Sequence, residues 1–201
     1  MAEGRVAVST PAKGGVAAWG VLALSRELAW LALTDDHLSD AVSGLTEVVL
    51  RGHGSTPKLL YQRIDLPWPF LDRHWVLALG NNEPLARASG AWERSWRVEN
   101  GEIQSARART DPADFDGAQP VTVNHGSWLL VPADASHTLA VYQAATVLEG
   151  NIPAAAADSW TRASLDDLYA GIGRHAVAVA TRYGAGCAKQ PGADGALINY
   201  F

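Results

Sequence analysis

The chain has 201 residues, 48% hydrophobic, 18% charged and 8% aromatic. That is enough length and apolar content to enclose one sizeable core, and it excludes disordered and fibrous architectures. Sixteen basic against 21 acidic residues leave a net charge of −5, so nothing global draws the protein to nucleic acid or to an anionic membrane. No run approaches the roughly 20 apolar residues of a membrane span. The start Met1-Ala2-Glu3-Gly4-Arg5 lacks the basic-then-apolar order of a signal peptide, so a soluble, cytoplasmic protein is expected, with export the alternative if a leader has been removed.

Residues 1–14 are small and polar and read as a flexible N-terminal arm. A single domain is expected over 15–184, followed by a C-terminal tail, 185–201. Residues 16–24 read as a strand. Ser25 is a helix N-cap, and Leu28, Trp30, Leu31 and Leu33 supply an apolar helical face. Residues 36–45 read as a second short helix, with Leu38, Ala41, Val42 and Leu45 at three- and four-residue spacing. The period then changes to two, and residues 46–51, 58–65, 73–79, 91–99, 121–131 and 137–149 read as strands separated by turn clusters. Among these clusters are Gly80-Asn81-Asn82 and Asn100-Gly101. The Asn-Gly pair suits a two-residue hairpin connection, which makes 103–109 a further strand. Pro153 can open a final helix in which Leu165, Leu168, Ile172 and Ala176 share a face, and Gly184 can end it. Gly171 and Gly173 inside that helix each cost about 1 kcal/mol relative to Ala, which calls for either a bend or a close approach. Residues 197–201 can dock on a hydrophobic surface. The fold class is α+β: a curved antiparallel sheet of about seven strands around a long C-terminal helix, with two short helices after the first strand.

Catalytic signatures are missing from this pattern. There is no Gly-x-Ser-x-Gly. The histidines at 37, 53, 74, 125, 137 and 175 have neither zinc-site spacing nor a cysteine nearby, and Gly171-Ile172-Gly173 lacks the rest of a dinucleotide fingerprint. No catalytic residue, metal or cofactor is expected. Cys187 is the only cysteine, so no intrachain disulfide can form.

The informative residues are aromatic. Eight tryptophans are several-fold more than usual, and strand parity places Trp92, Arg94, Trp96 and Val98 on one face. Arg94 is then either stacked on an outer sheet face or a cavity arginine able to meet a ligand's oxygen. Arg73, Trp75, Leu77 and Leu79 share another face, and Tyr142 lies with Ala140, Ala144 and Leu148. Small residues beside aromatics on a concave sheet leave either a close approach or a void.

The segment Tyr61-Gln62-Arg63-Ile64-Asp65-Leu66-Pro67-Trp68-Pro69-Phe70-Leu71-Asp72-Arg73-His74-Trp75-Val76 resembles the strand, Pro-aromatic-Pro, Arg-Asp landmark of START (StAR-related lipid-transfer) domains. Gly126-Ser127-Trp128, Pro132 and Gly150-Asn151-Ile152-Pro153 are similar to that family's later landmarks, in the right order. The resemblance spans roughly residues 15–184 and implies a bacterial START-like protein with the helix-grip fold. His74 departs from the acidic residue usual after the motif arginine, and Thr122 stands where many lipid-transfer members have an arginine.

The resemblance implies binding of a lipid or other hydrophobic small molecule between sheet and C-terminal helix, for transport or sensing, without chemistry. Trp75, Trp92, Arg94, Trp96, Tyr142, Leu165, Leu168 and Ile172 are the expected ligand-binding residues. Asp65, Pro67, Trp68, Pro69, Asp72 and Arg73 form the structural motif, Arg73 being expected to pair with Asp72 or Asp65 and fix the proline bend. Transient membrane contact is compatible with this reading; nucleic-acid binding and stable insertion are not. A second class is an enzyme of the polyketide aromatase/cyclase type, using Arg94, Tyr142 and His74 in the same cavity. A third is an interaction module that exposes its Trp-rich face to a protein partner.

Overall fold

The computed structural model describes residues 6–9, 15–148, 152, 154–184 and 189–198. Ala7–Ser9 form β1. This part of the expected arm is instead an edge strand, because its backbone finds partners on β2, Gly15–Leu22. Helix α1, Arg26–Thr34, begins as expected at Ser25, whose hydroxyl accepts from Leu28 N at 3.3 Å. The next helical segment is shorter than expected, a single 3₁₀ turn over Leu38–Ala41. Strands β3 (Leu45–Arg51), β4 (Lys58–Ile64) and β5 (Asp72–Asn81) follow, then α2, Glu83–Ser89, and β6, Trp92–Val98.

Helix α2 replaces an expected turn. The Asn82 side chain caps it by accepting from Leu85 N, and Gly90 ends it in the left-handed conformation at φ 72°, so the Asn and Gly signals belong to helix ends. The Asn100-Gly101 pair also departs from expectation. No hairpin forms, and residues 103–109 are not a strand: a 3₁₀ turn over Asn100–Glu102 leads into α3 (Ile103–Arg107), with α4 at Pro112–Asp116. The Asn100 side chain is the reason. Its Oδ1 accepts from Val76 N and its Nδ2 donates to Val121 O, which splices the chain onto β5 rather than reversing it. Ala106 and Phe115 are then buried against Leu59, Tyr61 and Val76 on the convex face of the sheet.

The sheet is completed by β7 (Ala118–Pro120), β8 (Val123–Pro132) and β9 (Thr138–Val147). Its order is β1-β2-β9-β8-β6-β5-β4-β3, with short β7 parallel to β5. The long helix α5, Ala154–Gly184, lies in the concave face. Leu165, Ile172 and Ala176 are buried there as their spacing predicts, together with Tyr169 and Val179. Residues 189–198 add a strap with a Pro191–Leu197 bridge. Ile198 and Ala193 enter the main core, and Trp30 donates its indole N–H to Pro191 O.

The two glycines of α5 have different surroundings. A Cβ on Gly171 would sit 2.7 Å from Val42 Cγ2 and 2.8 Å from Ala41 O, whereas one on Gly173 would meet open space. Gly171 is therefore a packing glycine, pressed against the 3₁₀ turn.

Candidate functional site

Between the sheet and the first half of α5 lies a cavity of about 340 Å³. Inner-face residues of β3 to β6, β8 and β9 form its floor and walls, and Ser164, Leu165 and Leu168 of α5 form its roof. Exposed Ser43, Gly44 and Asp65 mark the mouth. At the mouth α5 is fastened to the 3₁₀ turn. Asp167 accepts from Ser43 N at 2.8 Å, and Arg174 bridges Asp167 and Ala41 O.

Six of the eight residues expected to meet ligand line the cavity: Trp75, Arg94, Trp96, Tyr142, Leu165 and Leu168. Trp92 and Ile172 do not; both belong to the solid core. Trp92 packs edge-on against Trp30 at 5.5 Å, with the Arg26 guanidinium 4.0 Å above its ring. It shares a sheet face with Trp96, yet at its end of β6 the helix α1 fills the space. Trp96 instead stacks on Tyr142 at 5.5 Å, and Trp128 closes the aromatic row at 5.0 Å from Tyr142. Gly126 makes this possible, since a Cβ there would lie 2.6 Å from the Trp96 ring. The Trp-rich face is thus internal, with Trp30, Trp75, Trp92 and Trp128 buried. The reading of it as an exposed protein patch is corrected.

Arg94 is a cavity-wall residue, 2% exposed, but its terminal nitrogens are committed. They donate to the carbonyls of Gly54, Ser55 and Thr56 and to Asn81 Oδ1, the last at 2.7 Å. Burial pushes the guanidinium down to about 10, against the opposing pull of Asp36 and Glu47. Its work is to hold the β3–β4 loop shut over the inner end of the cavity. Gln190 of the strap assists by accepting from Ser55 N.

The motif arginine also differs from expectation. Arg73 donates to the carbonyls of Leu71 and Leu148, while the carboxylates expected for it go to Arg63, which pairs with Asp65, Asp72 and Asp114. Arg63 and Arg73 project to opposite sheet faces, and Asp72 lies with Arg63 on the convex side. The bend itself follows the motif: the Trp68–Pro69 peptide is cis, and Trp68 is 92% exposed and Leu71 55% exposed beside the mouth.

Of the groups suggested for a cyclase, His74 is absent from the cavity. It is buried on the convex side, its Nδ1 3.2 Å from Tyr61 Oη, and burial, with the Arg63 charge, pushes its pKa down. Tyr142 does face the cavity, and burial pushes its hydroxyl up to about 12, so it is a neutral donor.

Polar residues that the sequence reading passed over also line the wall: Glu47, Lys58, Gln62 and Asn124. Lys58 donates to Thr34 O at 3.0 Å and Asp36 Oδ1 at 2.7 Å. Asn124 Oδ1 accepts from Trp96 Nε1 at 2.9 Å. Trp75 Nε1 donates to Gln62 Oε1 at 3.0 Å, and Gln62 Nε2 donates to Glu47 Oε1 at 2.6 Å. Burial pushes the Glu47 carboxyl up, opposed by Gln62 and the Lys58 charge. The available signal was a lone acid in an apolar strand; it was hidden because α3 covers the other face of β3, so both faces read as apolar. Among the described residues no group of acidic, His or Cys side chains is placed to hold a metal, and no helix is long and apolar enough to cross a membrane.

No protein-family model and no curated protein matches the sequence. Solved structures do match in fold. A STAR-related lipid transfer protein fragment from Xanthomonas axonopodis superposes with TM-score 0.60 at 16% identity, over 83% of this chain and 98% of that one. Human STARD10 gives 0.61 at 10% identity, over 85% and 74%. The Zhui aromatase/cyclase from Streptomyces sp. R1128 gives 0.54 at 18%, over 80% and 92%. The open antiparallel sheet closed around α5 is therefore the helix-grip fold of the START domains.

Proposed function

We propose that this protein binds a lipid or other hydrophobic small molecule in the cavity between the sheet and α5. The observation that carries this reading is the cavity of about 340 Å³ with Leu60, Leu77, Trp96, Leu165 and Leu168 on its walls, a size at the low end of small-molecule sites. START-fold neighbours named for lipid transfer support it. Binding accounts for the site better than cyclisation does, because Arg94 lines the cavity with its terminal nitrogens held by the loop and Asn81, and His74 is on the other side of the sheet, which leaves Tyr142. Exposed Trp68 and Leu71 beside the mouth suit brief contact with an apolar surface during exchange, and the net charge of −5 argues against nucleic acid as a partner.

The test is denaturing extraction of the purified protein with mass spectrometry of the released material, alongside Ala144→Phe. Ala144 lines the cavity, so the larger ring fills it. The expected result is a hydrophobic ligand released from the wild type and lost from the folded variant. Equal ligand content in both would overturn the assignment of the cavity.

A further inference from the structure

The polar row across β5, β4 and β3 has a direction. An indole N–H can only donate, so the Gln62 carbonyl must face Trp75 and its amide nitrogen must face Glu47. The row ends on a carboxyl that receives one hydrogen bond at Oε1. Among the described residues no donor reaches Oε2, although the side chain lines the cavity. The two cations of the wall do not answer it. The ammonium of Lys58 is paired with Asp36, and the terminal nitrogens of Arg94 are spent on the β3–β4 loop and Asn81. An ionised carboxylate in such a place feels Lys58 and Arg94 only at a distance and has no cation in contact, and burying a charge without a contacting partner is costly.

We infer that the missing partner belongs to the ligand, and that the cavity selects a single-tailed amphiphilic amine whose ammonium pairs with Glu47 while its tail lies along Leu60, Leu77 and Leu168. The inference rests on the cavity-binding reading above and adds the head-group chemistry. A carboxylate or phosphate head would meet Glu47 as a like charge, and of the wall's cationic nitrogens only Arg94 Nε lacks a protein acceptor. An alcohol satisfies one hydrogen bond but leaves the charge unanswered. The cavity of about 340 Å³, at the low end of small-molecule sites, favours one tail over two.

Three probes with the same tail separate these cases: decylamine, decan-1-ol and decanoate, each titrated below its micellar concentration at neutral pH. Trp75, Trp96 and Trp128 line the cavity, so tryptophan emission reports binding, and calorimetry checks the stoichiometry. Decylamine is expected to bind about tenfold more tightly than decan-1-ol, the difference between a charge-assisted and a neutral hydrogen bond, and decanoate more weakly than either. Glu47→Gln, which keeps shape and one polar end, should remove the amine's advantage and leave decan-1-ol within about threefold. Decanoate binding as well as decylamine, or an amine preference that survives Glu47→Gln, would overturn the head-group inference while leaving the cavity reading intact. Failure of all three probes to bind would overturn both.

Discussion

The two ends of the concave face are built from the same residue types and have opposite character. At the closed end, Trp30 and Trp92 meet edge to face, α1 lies over them, and the strap reaches in with Ala193 and Ile198. At the open end, Trp75, Trp96 and Trp128 line a wall whose opposite side is Leu165 and Leu168 of α5 with space between. The difference lies in what stands above the sheet. Above the first pair a whole helix and the strap supply side chains; above the second, the first half of α5 offers a roof held off by its fastening at Asp167 and Ser43. A tryptophan on a concave sheet therefore becomes core or cavity wall according to its neighbours' reach.

The largest expected effect tests this contrast directly. Trp30→Ala should cost about 3–5 kcal/mol, as for a fully packed aromatic, whereas Trp96→Ala should cost less than half as much because one side of its ring already borders space. Urea denaturation of the pair measures both, and equal losses would erase the distinction between the ends.

Asp35 fastens the second half of α5 to α1: His175 and Arg182 reach its Oδ1 at 3.0 and 2.6 Å, and Tyr183 donates to Oδ2 at 2.8 Å. Burial alone would raise its pKa, but these partners outweigh it and hold the carboxyl below its ordinary 3.8. Asp35→Ala should cost about 3 kcal/mol, the low end for a broken buried pair because Arg182 is partly exposed. A depressed carboxylate contributes stability that is full above about pH 4 and lost as pH falls through its lowered value. The wild type, but not the variant, should show that loss in acid melting curves.

The paired glycines come next. Gly171→Ala should cost about 1–3 kcal/mol by overpacking the 3₁₀ turn, whereas Gly173→Ala should raise stability by about 1 kcal/mol through helix propensity. Loss of stability at both positions would mean that α5 needs its flexibility throughout. The smallest effect is at Glu47. A carboxyl raised in the fold above its ordinary 4.5 contributes stability that is present below about pH 4.5 and lost as pH rises through the raised value. Glu47→Gln should therefore match the wild type in acid and exceed its melting temperature at neutral pH; a variant less stable at neutral pH would show that the ionised form is already paired.

Local structure was legible wherever one chain segment decides it. Ser25 caps α1, β6 presents Trp92, Arg94 and Trp96 inward, and α5 buries the face spaced by Leu165, Ile172 and Ala176, because capping and periodicity are carried by residues a few positions apart. Six of the eight residues expected at the cavity line it, Trp75, Arg94, Trp96 and Tyr142 by strand parity and Leu165 and Leu168 by helical spacing. What the sequence left undecided concerns competition between partners far apart in the chain. Asn100-Gly101 has every feature of a hairpin turn until the Asn100 carboxamide finds Val76 and Val121. Arg94 could serve a ligand until three carbonyls some 40 residues earlier claim it. The carboxylates beside Arg73 go to Arg63 because they project to the other side of the sheet. A single sequence states which groups need partners and toward which side of a strand they point; only the tertiary structure decides which partner arrives, because each buried donor or acceptor is satisfied by whatever the packing of distant elements brings within about 3 Å.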